Sequence, residues 1–200
     1  MTRSTLRLFI ITAMIAACLA LGACAAAPFA SMAMDMVGLK KTAELPDSQK
    51  PPRNVSIKLH AAGNLNADPA GHPLAVIARI YKLRQNAAFE QAPYDSFLSQ
   101  QKEKDSLGAD LLEVKEITLI PGQHYETVEK VSKEAYFIGV VALFRAPADQ
   151  GWRLAFAAGD AEKSGITVGV HACALSVGTG SANSPGAGDA AAALAAVHCR

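Results

Sequence analysis

The sequence has no surplus of either charge. Its 19 basic residues stand against 18 acidic ones, a formal +1 over 200 residues. A chain so balanced has no bulk electrostatic route to a nucleic-acid backbone. Catalytic signatures are missing as well. There is no G-x-S-x-G elbow and no Walker loop. The Gly/Ser-rich stretch 178–188 lacks the lysine and the strand-to-helix setting that a phosphate cradle needs. The acids Asp95, Glu103, Asp105, Asp110, Glu113 and Glu116 show no acid/base pairing. No internal repeat is present, and no second apolar run spans a membrane. These absences point away from an enzyme, a nucleic-acid binder and a polytopic membrane protein. No cofactor, metal or small-molecule substrate is expected.

What is present begins at the N-terminus. Arg3 and Arg7 precede an apolar run from Leu8 to about Ala20, too short for a spanning helix and ordered like a signal peptide. The run ends in Leu21-Gly22-Ala23-Cys24, which looks like a lipobox. The expectation is a signal peptide at 1–23 and a Cys24 that carries a diacylglycerol and an N-acyl chain. Plain secretion, cleaved after Ala25-Ala26-Ala27, is the alternative. In lipoproteins of diderm bacteria an aspartate after the cysteine marks inner-membrane retention. Ala25 stands there instead, which favours an outer-membrane anchor facing the periplasm. Removing Arg3 and Arg7 leaves 17 basic residues against 18 acidic, a formal −1.

Residues 24–53 mix Ala, Met, Pro and Lys without a clear period and read as a tether; residues 178–200 read as a Gly/Ser/Ala-rich tail. Cys173 and Cys199 are the cysteines left besides Cys24 and Cys18, and Cys18 leaves with the signal. In an oxidising compartment a disulfide is the simple reading. Free thiols remain open. So does a zinc site with His171 and His198.

Between them, 54–177 reads as one domain. Val55, Ile57 and Leu59 alternate with polar residues as a half-buried strand. A polar loop follows, with turn formers from Asn64 to Gly71. Residues 74–83 form a strand apolar on both faces, with Arg79 as its odd position and an ion pair as the expected reason. Pro93, Tyr94, Phe97 and Leu98 start a helix that runs to Asp105. Strands are expected at 111–120, 127–131, 135–145, 152–156 and 166–170. Seven strands without regular helices between them give a β-sandwich with a helical insertion after the second strand.

Several segments in order resemble one family, the type VI secretion outer-membrane lipoprotein TssJ/VasD. They are Asn64-Leu65-Asn66 with its loop, Arg79-Ile80-Tyr81-Lys82-Leu83, the aromatics Phe89 and Phe97, and Leu107-Gly108-Ala109-Asp110-Leu111-Leu112. Pro121-Gly122-Gln123, then Tyr136 to Arg145, then Trp152-Arg153 complete the set. The resemblance covers about 54–153 plus the lipobox; the C-terminal tail has no counterpart. It implies a transthyretin-like sandwich and no enzymatic activity. It also implies a structural role, binding the periplasmic C-terminal region of the inner-membrane protein TssM and anchoring it to the outer membrane. The family's contact loop carries over to Asn64, Leu65, Asn66, Ala67, Asp68, Pro69, Ala70, Gly71 and His72. A periplasmic ligand-binding or carrier lipoprotein with a sandwich fold is the alternative, and a lipid-anchored hydrolase is the least favoured.

Overall fold

Alternation of apolar and polar residues gives each strand its inward face. The computed structural model describes residues 45–180 and Cys199. The expected signal peptide at 1–23, Cys24 and the tether up to residue 44 lie outside the described residues, as does most of the tail. In chain order the strands are β1 (Arg53–Ala61), β2 (Val76–Leu83), β3 (Leu111–Leu119), β4 (His124–Val131), β5 (Phe137–Leu143), β6 (Arg153–Ala157), β7 (Ile166–Val170) and β8 (Leu175–Thr179). They form two four-stranded sheets, ordered β4-β1-β7-β8 and β3-β2-β5-β6. All pairs are antiparallel except β1 with β7.

The core lies between the sheets. Val55, Ile57 and Leu59 of β1 and Val168 and Val170 of β7 are wholly buried, as are Ala78 of β2 and Ile138, Val140 and Ala142 of β5. Each fully buried valine, leucine or isoleucine among them contributes about 1.5–3 kcal/mol. The side facing out from β2 is covered as well. There Tyr81 packs on Phe89 and Phe97, with ring centroids 5.4 and 5.8 Å apart. Gly139 stands opposite Tyr81 on β5. A Cβ at Gly139 would lie 2.6 Å from Phe89 Cζ, so only glycine admits the ring.

Three departures from expectation have physical causes. The insertion is not one helix from Pro93 to Asp105. It comprises α1 (Ala87–Gln91), a 3₁₀ turn Tyr94–Ser96, α2 (Gln100–Leu107) and a 3₁₀ turn Gly108–Asp110. Ala92 precedes Pro93 and is forced extended, at φ −60° and ψ 132°, which ends α1. Ser99 is extended at φ −133°, which delays α2 to Gln100. Second, there are eight strands among the described residues and not seven. Gly178 and Thr179, expected in the tail, belong to β8. Arg53, expected in the tether, starts β1, and Asp47–Gln49 forms a 3₁₀ turn before it. Third, a short helix α3 (Ala158–Ser164) joins β6 to β7.

Candidate partner-binding site

The 64–72 segment is built from a buried stem and an exposed tip. Leu65 is wholly buried and plugs the core at the end of the sandwich. Asn66 is 7% exposed and sits in the left-handed region at φ +46°, where asparagine is tolerated better than most residues. Its amide works in two directions. Nδ2 donates to Ala75 O at 2.8 Å, and Oδ1 accepts the Arg145 N–H at 2.8 Å. The Leu74 N–H donates to Leu65 O at 2.9 Å and closes the neck. Leu65 and Asn66, expected on the contact surface, are therefore turned inward. They hold the loop.

Asp68 organises the tip. Its Oδ1 accepts the Ala70 and His72 N–H groups, both at 2.8 Å, and its Oδ2 lies 3.1 Å from His72 Nδ1. The His72 N–H and then the His72 ring hold its carboxyl below the usual carboxylate range. Asp68 N–H bonds to His72 O, and Gly71 supplies a left-handed φ of +84°. Asn64, Pro69, Ala70, Gly71 and His72 are exposed, and Ala67 and Asp68 are partly so. The tip is thus presented with its backbone already ordered, which lowers the entropy lost on binding.

Two exposed apolar side chains flank it that the sequence did not single out. The Ala61 N–H bonds to Gln123 O, and Val76 pairs with Leu119, which sets the β3–β4 turn beside the stem. Ile120 in that turn is 57% exposed, and Leu74 at the end of the loop is 39% exposed. The available signal was Ile120 directly before Pro121-Gly122, an apolar residue at a turn.

The rest of the molecule shows structural chemistry. Arg79 donates to Glu116 Oε2 at 2.9 Å, to Phe97 O at 2.9 Å and to Glu103 Oε1 at 3.2 Å. Tyr81 OH donates to the same Glu103 oxygen. Burial, then the Glu103 carboxylate, pushes the Tyr81 phenol up. Arg79 so clamps the insertion onto the sheet. At the β3/β4 side, Glu129 meets Lys115 at 2.6 Å and Lys82 at 3.4 Å. Burial opposes the Glu129 charge, but Lys115 and then Lys82 outweigh it and hold the carboxyl below its ordinary value. Arg153 caps α1 by donating to the carbonyls of Phe89, Glu90 and Ala92, with its guanidinium 4.5 Å from the Trp152 ring. Among the described residues no three His, Cys, Asp or Glu are placed to hold a metal ion. An open trough of about 630 Å³ on the outer face of the β1 sheet is lined by polar groups including Lys58, His60, Ser164 and Thr167. Cys173 is buried and bonded to Cys199, with Cα atoms 5.6 Å apart. His171 is not a ligand there; its Nε2 lies 2.8 Å from Ser176 Oγ.

The domain as a whole has similar known proteins. The family model described as type VI secretion lipoprotein, VasD, EvfM, TssJ, matches residues 53–173. The T6SS lipoprotein TssJ1 from Pseudomonas aeruginosa is 28% identical, over 64% of this chain and 97% of its own, with a TM-score of 0.57. A chain in a structure described as a type VI membrane complex is 26% identical, over 63% of this chain and 98% of its own, with a TM-score of 0.57. A chain in a structure described as the T6SS protein TssM C-terminal domain from EAEC is 26% identical. It covers 62% of this chain and 97% of its own, with a TM-score of 0.53. No curated protein sequence matches the chain.

Proposed function

This chain belongs to the type VI secretion lipoprotein family, and from that premise we propose that it is a non-enzymatic tether of the secretion membrane complex. In this reading residues 1–23 are removed and Cys24 carries a diacylglycerol and an N-acyl chain. The anchor lies in the outer membrane, and the sandwich faces the periplasm. Three acyl chains on one residue give stable membrane residence where a single chain does not. The tip of the 64–72 loop, with Leu74 and Ile120 beside it, binds the periplasmic C-terminal region of a TssM-type inner-membrane protein. The two proteins together then link the two membranes.

The observation that carries the reading is the division of the loop. A buried Leu65 and a doubly bonded Asn66 fix the stem, and the 67–72 tip stands exposed on it. Exposed loops on rigid scaffolds are where binding groups concentrate. The neighbours described as a type VI membrane complex and a TssM C-terminal domain support the choice of partner.

The test exchanges Pro69, Ala70 and His72 for Ser, Gly and Ser, leaving Leu65, Asn66 and Asp68 in place. We expect an unchanged circular dichroism spectrum and loss of TssM-region capture in a pull-down. Undiminished capture refutes the assignment. Cys24→Ser separately tests the anchor: the variant should still capture the partner in solution yet fail to support secretion.

A further inference from the structure

The turn at 171–174, between β7 and β8, supports more than the two strands it joins. His171 O accepts the Asn66 N–H at 3.1 Å, and Cys173 O accepts the Ala148 N–H at 3.0 Å. The Leu175 N–H donates to Gly151 O at 2.6 Å. The 64–72 loop and the 145–151 segment therefore both hang on this one turn. Asn66 ties them together a second time, since its Oδ1 holds the Arg145 N–H.

Packing alone fastens the turn weakly. Ala148, Cys173 and Ala174 form a small buried cluster separate from the main core. Three small side chains give little local stability, and segments of this kind open first. Beyond these contacts and the backbone hydrogen bonds just described, the turn is fastened covalently, by the bond from Cys173 to Cys199. The family match ends at residue 173, so the second half of this bond lies beyond what the family model describes.

We propose that the Cys173–Cys199 disulfide is a positioning element of the partner-binding end. Oxidised, it holds the 171–174 turn as the strut that presents the 64–72 tip. Reduced, the strut loosens and partner affinity falls, while the sandwich stays folded on its own larger core. The inference rests on the reading of that tip as the partner site. Opening the bond takes two electrons and two protons from a dithiol, which leaves as its own cyclic disulfide, and yields thiols on Cys173 and Cys199. A disulfide oxidant reverses the exchange.

The experiment uses the full chain purified in detergent in three forms: oxidised, reduced with dithiothreitol, and the double variant Cys173→Ala/Cys199→Ser. Amide exchange is read at Asn66 and Ala148, with Ile57 and Val140 as core references. Binding to the periplasmic C-terminal region of a TssM-type protein is read by Kd. Expected is at least tenfold faster exchange at Asn66 and Ala148 in the reduced and variant forms. The core amides should stay unchanged and the Kd should weaken at least tenfold. Reoxidation should restore the wild type and not the variant. Unchanged exchange overturns the strut. Faster exchange with unchanged Kd overturns its link to binding. Collapse of the core amides on reduction overturns it too, since the bond would then hold the whole fold. If the variant fails to fold, the reduced wild type decides. If the oxidised wild type does not bind at all, the functional reading fails, and exchange alone decides the strut.

Discussion

Replacing Asn66 by alanine isolates two contributions that the structure separates. The side chain donates to Ala75 O and accepts from Arg145 N, each at 2.8 Å, and its backbone sits at φ +46°. Each lost bond removes about 1 kcal/mol, somewhat more where the partner stays unsatisfied, so the pair costs about 2–3 kcal/mol. Holding alanine in the left-handed region adds about 1 kcal/mol. Asn66→Ala should therefore lose about 3–4 kcal/mol, a fall in Tm of roughly 10 °C for a domain of this size. Asn66→Gly loses the same bonds and escapes the backbone strain, although glycine's freedom in the unfolded chain takes back about half of that gain. The expected order is Asn above Gly above Ala, with the last two about 0.5 kcal/mol apart by the same reasoning. Urea unfolding of the three proteins measures it. An alanine variant as stable as the glycine one would refute the strain argument. A loss below about 1 kcal/mol in both would show that the hydrogen bonds contribute little.

Other sites give independent tests. Gly139→Ala places a methyl group against Phe89 Cζ and should cost about 1–3 kcal/mol by overpacking; Phe89→Leu in the same chain should recover part of it, read by thermal unfolding. Arg79→Ala leaves Glu103, 3% exposed, without its cation and should cost about 3 kcal/mol. Lys58→Ala, at an exposed pair with Glu126, should cost under about 0.5 kcal/mol, and equal losses at the two sites would refute the burial argument. The Glu129 carboxyl is lower in the folded chain than its ordinary 4.5. Its contribution is complete above that value and is lost as pH falls through the depressed folded value. Glu129→Gln should therefore flatten the acid limb of a stability–pH curve, and an unaltered limb would count against the network. Burial likewise lowers the His171 pKa from 6.5. Protonation then favours the unfolded chain, so this contribution is complete above 6.5 and declines as pH falls below it. His171→Asn should remove that decline.

Much of the sandwich was legible because burial imposes period two. Val55, Ile57 and Leu59 announce β1 through alternation alone. β8 was not legible. Leu175-Ser176-Val177-Gly178-Thr179 is short and mostly partly exposed or exposed, and its strand character comes from pairing with β7. The insertion was legible as helical, but the aromatic spacing misplaced the helix: Tyr94 sits in a 3₁₀ turn, Leu98 is exposed, and the α-helix covers the polar Gln100–Leu107. Pro93 acting on Ala92 ends α1, and the extended Ser99 delays α2 to Gln100, local effects that a face pattern hides. Arg79 was visible as an anomaly, and its Glu116 partner lies across the β2–β3 register. Glu103 comes from α2 and depends on how the insertion docks. The loop was legible as a turn-rich segment. Its inward-facing half was not, because Leu65 and Asn66 sit in a run of turn formers with no periodicity to mark direction.

The placement of β1 also has consequences for the order in which the domain can form. β1 leads the domain in the chain, yet it is an inner strand, held by β4 on one side and β7 on the other, with Ile57 opposite both Thr127 and Ile166. During synthesis or export from the N-terminus, one edge of β1 has no hydrogen-bonding partner until β7 arrives in the last third of the chain. The closing step is a long-range parallel pairing, whose loop entropy must be met before the contacts are rewarded. Folding should therefore be slow for a domain of this size, in the millisecond-to-second range typical of non-local β topologies. Until β7 docks, β1 presents an unpaired strand edge, which is aggregation-prone. A chain that crosses a membrane unfolded gains from this delay, since the β1 sheet cannot be completed before the C-terminal strands are through.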